Sequence, residues 1–226
     1  MFKNFYRDRK TVVTGHTGFK GSWLGLWLRE LGASVTGISL KPDTDHDLWD
    51  LLNIDYFGSY FQDIRETDKI REIILNSEAE IIFHLAAQAT VREGFANPLE
   101  TISTNVLGTA SLLQACRDIS SVRAIVVVTS DKCYAPVVSE KPYNEESRLG
   151  GIDPYSASKS CAELVTNCFS ESFFHYKDAA KLATVRAGNV IGGGDWGENR
   201  LVPDLARALK SGETAQIRSP GATRPW

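Results

Sequence analysis

The chain has 226 residues, 42% of them hydrophobic and 23% charged, and its 25 Lys and Arg against 28 Asp and Glu leave a net charge of −3. This composition excludes disorder and collagen and is that of a soluble globular protein able to bury a substantial core. The basic residues are scattered, so no single-signed field points to nucleic acid or to a membrane surface, and any ligand must be recognised locally.

The N-terminus, MFKNFYRDRK, has no apolar stretch of export-signal length, and the longest aliphatic runs, such as 125–128, are short. Neither an export signal nor a membrane span is expected. Apolar segments of strand length then alternate with helical ones. The spacing predicts a strand at 11–14, a helix at 22–31, strands at 34–39 and 60–62, a helix at 67–76 and a strand at 81–84. A long helix at 98–117, a strand at 124–129, a helix at 155–174 and a strand at 182–186 follow. Strands this apolar on both faces belong in a parallel sheet covered by helices, and right-handed crossovers make that a doubly wound α/β (Rossmann) fold. After Arg186 the texture changes to Gly192, Gly193 and Gly194, a helix at 201–210, and a closing segment rich in Pro, Gly and Arg. A boundary is placed near Ala187, with a dinucleotide-binding domain over 1–187 and the start of a small, incomplete substrate-binding lobe over 188–226. Cys116, Cys133, Cys161 and Cys168 fit neither a CxxC metal clip nor a dense disulfide framework, and are read as reduced cytoplasmic thiols.

The first strand runs into Gly15, His16, Thr17, Gly18, Phe19, Lys20 and Gly21, which places three glycines spaced by three in a strand-to-helix turn. The first glycine permits the tight turn, the second lets backbone approach a pyrophosphate, and the third allows close helix packing. The helix N-terminus supplies N–H groups and a positive dipole. The turn is therefore read as dinucleotide-binding. A Walker loop fails on order, because Lys20 precedes Gly21 and Ser22. NAD sites usually end the second strand on an acidic residue that binds the ribose diol, but Ser39 stands there, which weakens the choice of NAD over NADP. Lys41 is either a partner for a 2′-phosphate or a solvated surface lysine. Asp63 and Ile64 are placed to contact adenine, although Asp63 is equally suited to forming a turn.

Tyr155 and Lys159 form a YxxxK pair whose side chains emerge on one face of a helix. Tyrosine is a poor base at its usual pKa near 10, and a neighbouring ammonium with a cationic nicotinamide would favour its phenolate. Thr129, Ser130, Asp131, Lys132, Cys133 and Tyr134 close an apolar strand whose carboxyl end lines the ligand crevice. Ser130 could bond a substrate hydroxyl, while Asp131 and Lys132 are an acid and a potential base or simply a solvated turn pair. Asn105, in the long helix, is read either as a cofactor contact or as a buried amide bridging backbone groups.

The segments VTGHTGFKGSWL (13–24), HLAAQ (84–88), TSDKCY (129–134), LGGIDPYSASK (149–159) and RAGNVIGGGDW (186–196) together resemble the extended short-chain dehydrogenase/reductases, most closely their CDP-glucose 4,6-dehydratase branch. The likeness runs almost end to end. It implies NAD as cofactor, with Leu85, Ala86, Ala87 and Asn105 joining the turn in holding it, and CDP-glucose as substrate. Tyr155, assisted by Lys159 and Ser130, would deprotonate the C4 hydroxyl while NAD takes the C4 hydride. Water would then leave across C5 and C6 and the hydride return to C6, giving CDP-4-dehydro-6-deoxyglucose. Asp131 would protonate the departing hydroxyl. Lys132, standing where dTDP-glucose dehydratases have a glutamate, would remove the C5 proton as a neutral amine. Gln88, Asn189, Arg200, Arg218 and Arg224 would hold the sugar nucleotide, and helices 98–117 and 155–174 would form a homodimer. Such proteins continue beyond the position of Trp226, so the substrate lobe is expected to be incomplete. The rival readings are an epimerase or reductase on the same scaffold, which needs no acid/base pair for dehydration, and an inactive dinucleotide-binding fragment.

Overall fold

A computed structural model describes residues 2–42, 48–52, 58–137, 142–217 and 219–222. Six parallel strands form one sheet in the order β3-β2-β1-β4-β5-β6, comprising β1 (Lys10–Thr14), β2 (Ser34–Ser39), β3 (Gly58–Phe61), β4 (Ile81–His84), β5 (Ala124–Val128) and β6 (Lys181–Val185). This is the doubly wound order expected from the alternation of elements. The strand order reverses between β1 and β4, which pair Thr14 with His84, so the carboxyl ends of those strands open a crevice.

The helices are α1 (Phe19–Glu30), α2 (Leu48–Leu52), α3 (Thr67–Asn76), α4 (Val91–Ala96), α5 (Pro98–Ile102), α6 (Gly108–Cys116), α7 (Pro154–Phe173) and α8 (Leu201–Ser211). In α3, Ile70, Ile73 and Ile74 recur at helical spacing and are buried. They pack with Val12, Ile82, Leu112, Leu113, Ile125 and Val127 into the main core on one side of the sheet. Val13, Leu28 and Val35 form a smaller cluster on the other side. Val12 and Val13 thus send adjacent side chains of β1 into opposite clusters, the reason its sequence is apolar without alternation.

The helices depart from the sequence expectation at several places: α1 begins at Phe19 instead of residue 22, and α2 was not expected. The helix expected over 98–117 is interrupted by a π turn at Ser103–Leu107, where the Thr109 hydroxyl donates to the Asn105 carbonyl at 2.7 Å. A wide turn of this kind swings one residue inward, and that residue is Asn105, which is buried. Helix α4 was not expected; its Thr90 N-cap accepts from Glu93 N at 3.3 Å, and Thr-x-x-Glu is a helix-start signature that its short length obscured. Among the described residues no helix is long and apolar enough to cross a membrane.

Candidate active site

The chain turns sharply at Gly15, whose φ of +73° lies in the left-handed region. A Cβ there would come within 2.8 Å of Ala86 N, and one on Gly21 would sit 2.0 Å from Gly15 O. Both positions therefore exclude side chains for the sake of the turn itself. Gly18 differs. It is the exposed, extended N-cap of α1, no side chain caps the helix, and a Cβ there would meet only Gly15 O at 3.4 Å. The first N–H groups of α1 are thus reached across Gly18, a cradle for an anion that a side chain at 18 would fill.

Thr17 ties this turn to β2: its hydroxyl lies 2.8 Å from that of Ser39 and 3.2 Å from the Leu40 carbonyl. Ser39 therefore stands beside the turn, at the end of β2. His16 is buried beneath it, with Nε2 2.6 Å from Ser59 Oγ. Burial pushes its pKa down to about 4, against a backbone bond at Ile38 that raises it, so the ring is neutral. Asp63 is engaged by Arg65, whose Nη2 donates to Oδ2 at 2.6 Å, and Ile64 belongs to the main core. Their structural roles are those of a turn former and a packing residue.

At the end of β4 the Leu85 and Ala86 amides both donate to Thr14 Oγ1 at 3.1 Å, which presses HLAAQ, including half-buried Ala87, against Gly15. Asn105 accepts from Gln88 N at 2.8 Å and donates to Gln88 O at 3.0 Å and to Ser158 Oγ at 2.8 Å. Both ends of this amide are engaged by the protein, so Asn105 serves as a strut between the crevice and α7. Gln88, expected at the substrate, donates from Nε2 to Thr90 O and Thr101 Oγ1, both at 2.9 Å.

Helix α7 carries Tyr155 and Lys159. Asp153 caps it, accepting from Ser156 N at 3.0 Å, and Pro154 begins it, so the helix starts one residue before the tyrosine. Both functional side chains are buried, at 8% and 7% exposure. Helix α4 contributes to this burial at Gly94, where a Cβ would lie 3.1 Å from Tyr155 N. Burial raises the Tyr155 pKa, while a hydrogen bond with Ser130 and the Arg200 charge lower it and Asp131 and Asp153 raise it further. The fall expected from a lysine neighbour is thus not delivered by the chain's own groups, because desolvation outweighs them. Burial, reinforced by Lys20, pushes Lys159 down to about 8, with Glu163 opposing.

Ser130 begins a short turn after β5, with its hydroxyl accepting from Lys132 N at 3.3 Å. Asp131 Oδ1 accepts from Ser130 Oγ at 3.0 Å and from Lys132 Nζ at 3.1 Å. The sequence left open a solvated turn pair. The structure makes Asp131 and Lys132 an ion pair beside Tyr155, only partly exposed at 27% and 37%. Lys20 of α1 is an exposed residue whose pKa is lowered first by partial desolvation and then by the neighbouring Arg200 and Lys132 charges.

Arg200, half-buried at the start of α8, donates to Asp195 Oδ1 at 2.7 Å. The Asp195 side chain is nearly inaccessible, at 8%. Trp23 Nε1 of α1 donates to Gly193 O at 2.9 Å, and Gly192 lies against the Phe19 ring, 3.0 Å from a Cβ placed there. These contacts fold the 192–195 segment over the start of α1 and bring Arg200 to the crevice. Asn189 is half-buried in the preceding segment; Arg218 and Arg224 lie outside the described residues. Asp195, Trp23 and Glu163 were not singled out in the sequence, although Asp195 and Trp23 fall inside the motifs quoted for the resemblance.

A family model described as GDP-mannose 4,6 dehydratase matches residues 12–184. The CDP-glucose 4,6-dehydratase of Salmonella typhimurium is 46% identical, over 99% of this chain and 64% of that protein. The UDP-glucose 4-epimerase of Mycolicibacterium smegmatis is 30% identical, over 94% of this chain and 67% of that one. Among solved structures, the dTDP-glucose 4,6-dehydratase DesIV of Streptomyces venezuelae, a double mutant with NAD bound, superposes with a TM-score of 0.82 at 25% identity, covering 96% of this chain and 67% of its own. The chain therefore spans roughly two thirds of the length of these relatives.

Proposed function

The chain belongs to the GDP-mannose 4,6-dehydratase family, and from that premise we propose that it acts in the NAD-dependent 4,6-dehydration of CDP-glucose to CDP-4-dehydro-6-deoxyglucose. The observation that carries this reading is the Asp131–Lys132 pair set beside Tyr155, Lys159 and Ser130, since epimerisation has no use for an acid and base that remove water. The identity to the Salmonella enzyme, higher than to the epimerase, supports the choice of nucleotide sugar.

The turn fits a dinucleotide, because the uncapped start of α1 and the open face of Gly18 form an anion cradle. Gly15, Thr17, Gly18, Phe19, Lys20 and Gly21 would hold NAD, with Ser39 at the ribose, Asp63 and Ile64 toward the adenine, and Leu85, Ala86 and Ala87 lining the opposite wall. Bound there, NAD supplies a reversible hydride acceptor. Tyr155, held as phenolate by the Lys159 ammonium, takes the proton of the C4 hydroxyl and becomes neutral, while Ser130 donates a hydrogen bond to the C4 oxygen. Asp131 and Lys132 differ from a neutral acid and a neutral amine by the transfer of one proton from Lys132 to Asp131. A sugar covering the pair withdraws it from water and favours that neutral form. Lys132 then takes the C5 proton, Asp131 gives its proton to the departing C6 hydroxyl, water leaves, and the ion pair is restored. Arg200, with Asn189, Arg218 and Arg224, would bind the nucleotide's diphosphate and base, a guanidinium fork suiting phosphate, and Gln88 would line the substrate site.

Residues 188–226 are read as the beginning of the substrate lobe. A homodimer through α5, α6 and α7 is supported by their exposed Leu99, Ile102 and Leu164, and free cysteines fit a cytoplasmic setting.

The test is single turnover with CDP-glucose. Tyr155→Phe is expected to form neither reduced nicotinamide nor product. Asp131→Asn is expected to accumulate reduced nicotinamide, seen by its near-ultraviolet absorbance, while the alkaline absorbance of the 4-keto-6-deoxy sugar lags. Wild-type turnover to an epimer without that sugar would establish the epimerase reading instead, and wild-type rates for Asp131→Asn would remove Asp131 as the acid.

A further inference from the structure

Glu163 is a buried carboxylate, 4% exposed, that the chemistry above does not use. It lies on α7 one turn beyond Lys159 and two beyond Tyr155, so the three side chains share a face of the helix. The carboxylate accepts from Thr129 Oγ1, from Thr184 Oγ1 at 2.9 Å and from Arg186 Nη2 at 2.9 Å. Thr129 directly precedes Ser130, and Thr184 and Arg186 stand at the end of β6. Arg186 continues the chain of contacts, donating to Tyr134 OH at 3.2 Å and Glu145 O at 3.1 Å. Asp131 is tied to the same strand end by its amide, which donates to Ala187 O at 2.9 Å. One carboxylate thus joins the helix bearing Tyr155 and Lys159 to both strand ends that carry and brace Ser130, Asp131 and Lys132.

We propose that Glu163 is a positioning residue for this reaction: it clamps the ends of β5 and β6 to α7, so that Ser130 stays within reach of Tyr155, and it presents a negative charge to Lys159. The rate part of this inference rests on the functional reading above; the charge part does not. Burial would raise the Glu163 pKa, but its bonds from Arg186, Thr129 and Thr184 hold it below the ordinary value, so the charge is present at neutral pH. Among the described residues, the groups facing Lys159 are Lys20 from α1, neutral His84 from β4, the Val128 carbonyl from β5 at 3.4 Å, and Tyr155 and Glu163 from its own helix. Glu163 is the anionic member of that set at neutral pH.

The experiment follows Lys159 by the 13C signal of its Cε, assigned by its loss in Lys159→Met, in wild type and Glu163→Gln across a pH series. The titration midpoint is expected to fall in Glu163→Gln, by up to about one unit, and to be retained in Glu163→Asp. In turnover with CDP-glucose, Glu163→Gln is expected to lose about 10- to 100-fold in kcat per bound NAD, with KM within about threefold of wild type, as for a displaced but unsubstituted catalytic set. If Glu163→Gln fails to fold, the double variant Glu163→Gln/Arg186→Met, which leaves no unpaired guanidinium, reads the same midpoint. An unchanged midpoint overturns the proposal, as does wild-type kcat per bound NAD in a protein that turns over CDP-glucose. A shifted midpoint in a protein inert toward CDP-glucose leaves Glu163 as the charge partner of Lys159 and overturns only the substrate assignment.

Discussion

At Lys159 the role proposed for the side chain and the stability of the fold oppose each other. Its ammonium, 7% exposed, has the weak 3.4 Å bond to Val128 O as its hydrogen bond, and burial brings its pKa from 10.5 to about 8. Between those values the unfolded chain binds more protons than the folded one, so stability rises with pH across that window. Below it, holding the buried ammonium costs about 3 kcal/mol. Lys159→Met is therefore expected to stabilise the protein by about 1–3 kcal/mol at pH 7 and to lose that advantage by about pH 10, as measured by denaturant unfolding at both values. A variant less stable than wild type at pH 7 would show that the lysine is satisfied where it lies. The Tyr-x-x-x-Lys spacing was legible in the sequence because helix geometry fixes which residues share a face. The burial that moves both groups was not, since it depends on α4 packing at Gly94 against Tyr155.

At the level of elements, the turn between β1 and α1 divides its glycines by task. Gly15 and Gly21 are needed for the turn to close, and Gly18 for something to approach it. Gly21→Ala is expected to destabilise the fold by several kcal/mol, because backbone stands 2.0 Å from the new Cβ. Gly18→Val is expected to fold with little loss yet weaken NAD binding by more than about tenfold, or about 1.4 kcal/mol, measured by calorimetry. Equal effects of the two substitutions on stability would remove the distinction. The strand-to-helix turn was readable from glycine spacing, whereas the short α4 and the π turn at Asn105 were hidden. The α4 signal was local but short, whereas the inward Asn105 of the π turn depends on bonds to Gln88 and Ser158, 17 and 53 residues away.

For the whole molecule, two neutral histidines bind the layers together. His84 bridges β1 and α6 through Thr14 at 2.8 Å and Thr109 at 3.1 Å, and burial lowers its pKa to about 3, with Lys159 adding to the effect. His16 joins the β1–α1 turn to β3, and burial lowers its pKa to about 4. Both values lie below the unfolded 6.5, so the stability these neutral rings contribute is intact above pH 6.5 and drains away as pH falls toward 4. The melting temperature is expected to drop across that window, and His84→Asn to reduce the slope by about one proton. A melting temperature flat between pH 6.5 and 4 would contradict this.

The sequence by itself determined the doubly wound class, the position of nearly every strand, the glycine turn between β1 and α1 and the Tyr155–Lys159 face, because each rests on local spacing: period two or none for strands, 3.6 for helices, and glycine where a turn demands it. It also carried Ser130, Asp131 and Lys132 to a strand end. Only the tertiary structure decided that Asp131 and Lys132 pair with each other, that Asn105 and Gln88 are engaged by protein partners, and that Asp195 holds Arg200 at the crevice. It alone showed that Glu163 gathers two strand ends onto α7. Those outcomes depend on desolvation and on contacts between residues distant in sequence, and neither quantity is written in the spacing of residues along the chain.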